Sequence, residues 1–120
     1  MHIKISNRND IRVAEIDSPD VVVRDVQDAL DLMADCGYQG ARVIILHRNN
    51  FTPSFFDLST GIAGEILQKF SNYRVRLAII GDFTEEASSS LREFIRESNR
   101  TGRIVFVNSI DEALDKLTGT

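Results

Sequence analysis

Short apolar runs alternate with amphipathic stretches along this chain, and their periods predict its secondary structure. Near the amino terminus, Ile3 and Ile5 alternate with polar residues, and residues 11–16 alternate again after the polar cluster 7–10. A two-residue period is typical of a half-buried strand, because successive side chains point to opposite faces. Two such runs around a short polar turn predict a β-hairpin.

Three later runs are almost entirely apolar, at residues 43–46, 76–80 and 104–107. A strand with this composition is buried on both faces, which is typical of a central strand in a parallel sheet. We therefore expect three further strands.

Amphipathic stretches separate these strands and predict helices. In the first, Val26, Leu30 and Met33 share one face, and Asp25 is a suitable N-cap. Gly37 is the expected left-handed C-cap that ends this helix.

The second predicted helix turns Ile62, Ile66, Leu67 and Phe70 to the core. For the third, we expect Thr84 to be the N-cap and the following acidic pair, Glu85 and Glu86, to complement the helix dipole. Its expected inward residues are Leu91, Phe94 and Ile95. The fourth begins with the capping box of residues 109–112 and buries Ala113, Leu114 and Leu117.

The order of elements is therefore β-β-α-β-α-β-α-β-α. Buried strands that alternate with amphipathic helices predict an α/β domain, and the hairpin adds one antiparallel pair. We expect a single domain over residues 1–120 with a mixed, mostly parallel sheet of about five strands and with helices on both faces.

Composition excludes several classes of protein. The formal net charge of −4, with Lys and Arg scattered among acidic residues, argues against a nucleic-acid partner. No apolar run reaches the roughly 18 residues that predict a membrane span. The chain has one cysteine, Cys36, which fits a reducing, cytoplasmic location. We expect Cys36 to be small, half-buried and unreactive, since the neighbouring Asp35 raises the pKa of the thiol.

Candidate site residues follow two of the predicted parallel strands. His47 and Arg48 come after one strand, and Asp82 comes after the next. Ligands of open α/β sheets bind at the carboxyl ends of the strands, so we expect these side chains to lie close together. His47 could equally be an ordinary strand-end residue, and Gly81 with Asp82 could simply form a turn.

The turn into the second helix should lie at the same edge of the sheet. It contains Asp57, Ser59, Thr60 and Gly61, and Gly64 follows one turn later. Free backbone N–H groups and the positive end of the helix dipole suit an anion at this position. Structural alternatives are that Asp57 or Ser59 caps the helix, and that the two glycines allow close packing on the sheet or on a second subunit.

Four of the seven phenylalanines fall in the loops at this edge: Phe51, Phe55, Phe56 and Phe83. Some of them are expected to fill the core. Any two that stay exposed would form an apolar contact patch for a partner.

Searches for enzyme motifs are negative. The chain has no G-x-x-x-x-G-K-[ST], no G-x-G-x-x-G and no G-x-S-x-G, and its two histidines are far apart. A Ser59, His47 and Asp82 triad can be drawn, but three such residues on one edge arise easily by chance. We therefore predict no catalytic residue, metal or cofactor, and we favour a protein that is not an enzyme.

Several blocks resemble a family of small bacterial proteins catalogued as a domain of unknown function, DUF4180. They are the Phe-Phe-Asp-Leu-x-Thr-Gly-x-Ala-Gly-Glu-Ile-Leu-Gln-Lys-Phe-x-Asn-Tyr-Arg block of residues 55–74, and residues 77–83 and 91–99. The helix at 26–32 and the tail at 112–114 extend the likeness over nearly the whole chain. The resemblance implies family membership and brings no activity with it.

The order of elements also resembles the STAS domain of anti-sigma-factor antagonists. There a strand leads through an Asp-Ser-[Ser/Thr]-Gly turn into a helix, and a serine of the turn is phosphorylated. The comparable turn here has Leu58 between Asp57 and the hydroxyl residues. The resemblance therefore implies a STAS-like fold and leaves open whether Ser59, Thr60 or neither is the equivalent residue.

Two functional hypotheses follow. The first is a non-catalytic regulatory or binding module that meets a protein partner through the loop and helix start after the third strand. The alternative is a small-ligand-binding protein or small enzyme with a pocket near Asp82 and His47, where amides of Thr60 and Gly61 hold a small anionic ligand. A homodimer is compatible with either.

Overall fold

The elements follow the order β-β-α-β-α-β-α-β-α, as the hydrophobic pattern predicts. The computed structural model describes residues 1–84 and 88–119. Its strands and helices are β1 (His2–Arg8), β2 (Ile11–Asp17), α1 (Val26–Tyr38), β3 (Val43–His47), α2 (Ile62–Asn72), β4 (Arg76–Ile80), α3 (Ser89–Thr101), β5 (Ile104–Val107) and α4 (Ile110–Thr118). Three short 3-10 turns lie between β3 and α2, at Arg48–Asn50, Pro53–Phe56 and Leu58–Thr60.

All five strands form one sheet in the order β1-β2-β3-β4-β5, which is the order of the sequence. β1 and β2 are antiparallel, and each later neighbour is parallel to the one before it. The hairpin loop is only Asn9 and Asp10, both in the left-handed region with φ of 54° and 64°. Positive φ at both positions is the geometry of a type I′ turn, which matches the twist of the two strands. The predicted α/β fold with a mixed, mostly parallel sheet is confirmed.

Helices lie on both faces of the sheet, but unequally. α1, α2 and α3 pack on one face, against strand residues such as Ile16, Ile44 and Leu77. α4 packs on the other, against Val43 and Val105 among others. Each connection between parallel strands is a right-handed crossover to the next strand in the same direction, so α1, α2 and α3 lie on the same face. α4 follows the last strand, is not part of a crossover and lies on the opposite face.

The start of α3 differs from the prediction. Its N-cap is Ser88, whose Oγ accepts a hydrogen bond from the Leu91 N–H at 3.2 Å, and Thr84 lies before the helix. Ser and Thr are both good N-caps, so the sequence did not distinguish them. The acidic pair expected to complement the dipole, Glu85 and Glu86, lies outside the described residues.

The end of α1 also differs. Gly37 is inside the helix, and Gly40 is the glycine in the left-handed region, with φ of 84°. Two hydrogen bonds close the end, from the Ala41 N–H to the Cys36 carbonyl and from the Gly40 N–H to the Gly37 carbonyl. This is the pattern of a Schellman motif.

Cys36 is fully buried on α1, more deeply than predicted. Burial raises the pKa of the thiol to about 11, and the charge of Asp35 acts in the same direction. The thiol is therefore protonated at neutral pH and is no nucleophile.

The outer edge of β5 is covered by side chains of α3. Ser98 Oγ donates to the Ile104 carbonyl at 2.5 Å, and the Asn99 amide both donates to the Phe106 carbonyl and accepts from the Phe106 N–H, at 3.2 and 2.7 Å. These groups replace the bonds that a sixth strand would make. β1, at the other end of the sheet, has no strand beyond it in the described part of the chain. Across the same residues, every helix is too short or too polar to cross a lipid bilayer.

Candidate functional site

A cleft of about 820 Å³ opens at the carboxyl ends of β3 and β4. The predicted site residues His47, Arg48, Phe56 and Asp82 all line it. The remaining lining residues are Val21, Asn49, Phe51, Pro53, Ile80 and Gly81. The expectation that strand ends bring His47, Arg48 and Asp82 together is thus supported by the geometry of one cavity.

The Arg48 guanidinium lies between two aromatic rings. Its Cζ is 4.8 Å from the ring centre of Phe56 and 4.9 Å from that of Phe83. Nη1 also donates a hydrogen bond to the Asp82 carbonyl at 3.0 Å. Cation–π attraction and this hydrogen bond together fix the side chain across the cleft and join the loops that follow β3 and β4.

Gly81 allows the close approach on which this arrangement depends. A Cβ atom at Gly81 would lie 2.8 Å from Arg48 Cβ and 3.2 Å from the nearest atom of the Phe83 ring. Real side chains do not approach so closely, so any larger residue would displace Arg48 or Phe83. Gly81 is therefore more than the turn residue that the sequence suggested.

Asp82 is held by Thr84. Its Oδ1 accepts hydrogen bonds from Thr84 Oγ1 at 2.6 Å and from the Thr84 N–H at 3.1 Å. These bonds, the hydroxyl bond first, lower the pKa of the carboxyl, and the charge of Arg48 adds a smaller effect in the same direction. Asp82 is consequently ionised at neutral pH and is a weak base. Among the described residues, no group of three or more His, Cys, Asp and Glu side chains is placed to hold a metal ion.

Replacing Thr84 with alanine is expected to raise the pKa of Asp82 towards its ordinary value, because the strongest bond to the carboxylate is lost. A lowered pKa in the folded state stabilises the fold above the pKa of the unfolded chain, about 4, and this contribution is lost as pH falls through the folded pKa. Acid should therefore destabilise wild type more than Thr84→Ala. Carboxyl NMR titration measures the pKa, with Ser59→Ala as the control that leaves it unchanged.

The loop phenylalanines do not form an exposed patch. Phe51 and Phe55 are buried, while Phe56 and Phe83 are half-buried beneath Arg48. The prediction that some fill the core is confirmed, and the apolar patch is absent at these four positions. The rings instead form a continuous series of edge and tilted contacts between 4.4 and 6.2 Å, through Phe51, Phe55, Phe56, Phe83, Phe106 and Phe94. This series connects the cleft to α3.

Hydroxyl groups hold the segment before α2 in its 3-10 turns. Asp57 Oδ1 accepts from the Ser59 N–H at 3.1 Å and from Ser59 Oγ at 2.6 Å. Thr60 Oγ1 lies 2.9 Å from the Ser54 carbonyl and 2.8 Å from the Asp57 carbonyl, to which it donates. Asp57 therefore caps a 3-10 turn, and the N-cap of α2 is Gly61, so the alternative that Asp57 or Ser59 caps α2 is wrong.

The two glycines of this segment do not serve close packing on the sheet, which was one of the alternatives that the sequence suggested. Gly61 is the N-cap of α2 and needs its left-handed φ of 77°. Gly64 is exposed, and a Cβ atom there would meet nothing within 4 Å. It lines a separate groove of about 310 Å³ between α2 and α3, together with Leu67 and Phe94 among others.

The predicted site therefore divides into two parts. His47, Arg48, Phe56 and Asp82 share the cleft, whereas Asp57, Ser59, Thr60 and Gly61 do not line it. The two parts are adjacent in sequence. The 3-10 turn Pro53–Phe56 contributes two cleft residues, and the next turn is closed by Thr60.

Asn50 is the residue that the sequence analysis missed. It is completely buried; its Oδ1 accepts from the His47 N–H at 2.9 Å, and its Nδ2 donates to the Ser18 and Asp20 carbonyls at 3.0 and 2.9 Å. Its own carbonyl accepts from the N–H groups of residues 22 and 23. Asn50 thus ties the loop after β2 to the wall of the cleft. Its neighbour Asn49 is also an asparagine, and the sequence offers no signal that separates them.

A family model described as a domain of unknown function, DUF4180, matches residues 8–117. No curated protein matches the chain. No solved structure matches it either, so the STAS-like fold stays a prediction.

Proposed function

Because the chain belongs to the DUF4180 family, whose description assigns no activity, we propose a function from its own geometry: a non-catalytic module that binds a partner protein in the cleft after β3 and β4. The geometry of this cleft carries the proposal. The cleft lies where α/β sheets bind their ligands, it is lined largely by apolar side chains, and its Arg48 and Asp82 are held by groups of the protein itself.

The charged groups of the cleft suit binding better than catalysis. Asp82 is kept ionised by its bonds to Thr84, which lowers the pKa of the carboxyl and weakens it as an acid or base near neutral pH. Arg48, stacked on two rings, presents a fixed positive surface. A half-exposed apolar wall with a fixed arginine is a common composition for the centre of a protein interface.

A regulatory role is part of the proposal and is supported by Ser59 and Thr60. Both are exposed, and their hydroxyls close the turns next to the cleft residues Pro53 and Phe56. A phosphate on Thr60 would remove the hydroxyl proton that Thr60 donates to the Asp57 carbonyl, close to the Ser54 carbonyl, and would place negative charge near Asp57. The turn would open and alter the cleft wall. Thr60→Glu should therefore weaken partner binding, while Thr60→Ser, which keeps the hydroxyl, should not.

The docking surface is tested at Val21, which lines the cleft and is 40% exposed. Val21→Asp should abolish capture of a partner from a lysate of the source organism, since it places a charge in the apolar wall without disturbing the core. Tyr38→Asp is the matched control, because Tyr38 is 94% exposed and lies outside the cleft. With the purified partner, Val21→Asp should raise the dissociation constant at least about tenfold.

Retention of every captured protein by Val21→Asp would contradict the proposal, as would equal losses with Tyr38→Asp. The alternative, a small anionic ligand or a small enzyme reaction in the same cleft, is supported by the presence of both His47 and Asp82 in its lining. That alternative predicts a metabolite that raises the melting temperature of wild type but not of His47→Ala or Asp82→Ala.

A second copy of the chain is a further candidate partner. The two edges of the sheet differ, since α3 side chains cover β5 whereas β1 has no strand beyond it in the described residues. Antiparallel pairing of β1 with its copy would extend the sheet. Light scattering at several concentrations decides between a monomer and a dimer, and a proline at Ile5, which removes a strand N–H, should abolish a dimer formed this way.

A further inference from the structure

Positive charge gathers in a pocket at the edge of the sheet opposite the cleft. The pocket has a volume of about 410 Å³ and lies where β4 and β5 begin. Four of its lining residues are cationic: Arg74, Arg76, Arg103 and Lys116. None of the other described residues that line it is acidic; they are Asn99, Thr101, Gly102 and Val105. In a chain with a net charge of −4, such a cluster is a local reversal of the overall charge.

Arg76 forms the fixed back of the pocket. Its guanidinium donates to the Leu117 carbonyl at 2.7 Å, the Gly102 carbonyl at 3.0 Å and the Lys116 carbonyl at 3.3 Å. These carbonyls belong to the ends of α3 and α4, where the helix dipoles are negative, so Arg76 offsets that partial charge. The other three cations are exposed, and their side chains make no hydrogen bond or ion pair with the described residues.

Arg74 stands in a backbone conformation that favours glycine. Its φ is 58°, and it follows the C-cap of α2 in a Schellman motif closed by the Arg74 N–H to Ser71 carbonyl and Val75 N–H to Phe70 carbonyl bonds. The other three helices end on left-handed glycines, at Gly40, Gly102 and Gly119. An arginine at this position is strained relative to glycine, which indicates that its side chain has a use outside the fold.

The neutral polar groups of the pocket are already engaged. The Asn99 amide bonds the Phe106 backbone, and Thr101 Oγ1 donates to the Ser98 carbonyl. No aromatic ring lines the pocket within the described part of the chain, so nothing there would stack on a nucleobase. What the pocket offers a ligand is guanidinium and ammonium groups, which match phosphate oxygens in charge and geometry.

We propose that this pocket binds a compact, multiply charged phosphate anion of the diphosphate type. Arg74, Arg103 and Lys116 contact its oxygens, and Arg76 supplies positive charge from behind. The site is separate from the cleft at the opposite edge of the sheet, so it holds or fails independently of the proposed function.

Calorimetric titration with inorganic pyrophosphate, at constant ionic strength, tests the site. Arg74→Gly and Arg103→Ala should each weaken the affinity at least about tenfold. Arg74→Gly should also melt at the same temperature as wild type or higher, because glycine relieves the left-handed strain. Loss of binding in that variant therefore cannot come from unfolding. Arg96→Ala, which removes a cation that pairs with Glu93 on the surface of α3, should change the affinity by less than about twofold.

Three results would overturn the proposal. One is no heat of binding at millimolar pyrophosphate. Another is equal weakening by Arg103→Ala and Arg96→Ala, which would indicate general charge attraction. The third is binding of sulfate as tight as that of pyrophosphate, which would indicate an unselective anion site. Adenosine diphosphate, added as a second probe, should bind no more tightly than pyrophosphate, since the pocket has no group to contact the base.

Discussion

Replacing Asn50 with alanine is expected to lower the free energy of unfolding by about 2–4 kcal/mol, because Asn50 is completely buried and its loss leaves the Ser18 and Asp20 carbonyls and the His47 N–H without this partner. A buried polar group without a hydrogen bond costs more than the bond itself contributes. Urea denaturation measures the change. The loop after β2 should also become more mobile, which amide hydrogen exchange at residues 22 and 23 would detect.

Asn49→Ala is the matched control. Asn49 is exposed, and its one side-chain bond, to the Pro19 carbonyl, is 3.4 Å long. Its loss should cost less than about 0.5 kcal/mol. Equal effects of the two substitutions would show that the buried bonds of Asn50 do not hold the loop in place.

Gly81→Ala is expected to destabilise the fold by about 1–3 kcal/mol and to open the cleft wall. The added Cβ atom would lie 2.8 Å from Arg48 Cβ, which is close to the backbone and cannot swing away as the end of a long side chain would. Either Arg48 leaves its place between Phe56 and Phe83, or the loop after β4 moves. Chemical denaturation gives the loss of stability, and ring-proton NMR shifts of the two phenylalanines report the displacement of the guanidinium.

Gly64→Ala makes the same chemical change where there is room for it. The position is inside α2, is exposed and has no atom within 4 Å of the added carbon. Alanine should therefore raise the stability by about 0.5–1 kcal/mol, as it does in exposed helices. A stabilising Gly81→Ala would contradict the contact between Gly81 and Arg48.

The sequence predicted the elements well because their signals are local. The runs that form β3, β4 and β5 are buried on both faces, so composition alone identifies them. The residue that caps a helix is also set locally, but several neighbouring residues can be almost equally good caps. Thr84 and Ser88 are such a pair, and only the position at which the chain enters α3 chooses Ser88.

Strand ends predicted that His47, Arg48 and Asp82 lie close together, but other contacts between distant side chains were beyond prediction. Arg76 and Lys116 are 40 positions apart, and the pocket that they share appears only when α4 folds against β4. Cations that are scattered in the sequence therefore form one cluster in the folded protein. Phe83 likewise meets Phe106 only through the pairing of β4 with β5, which makes Phe83 part of an internal series of rings.

The sheet order has a consequence for how the chain assembles. Each strand pairs with the one made just before it, so no segment has to wait for a later one to be inserted between two neighbours. A sheet of this kind can grow from one side while the ribosome is still at work, because each strand finds its neighbour already synthesised. Strand addition is blocked at the other side: residues 98 and 99 occupy the outer edge of β5, and they precede it by only a few positions. Side chains of α3 thus prevent a further strand from pairing with β5.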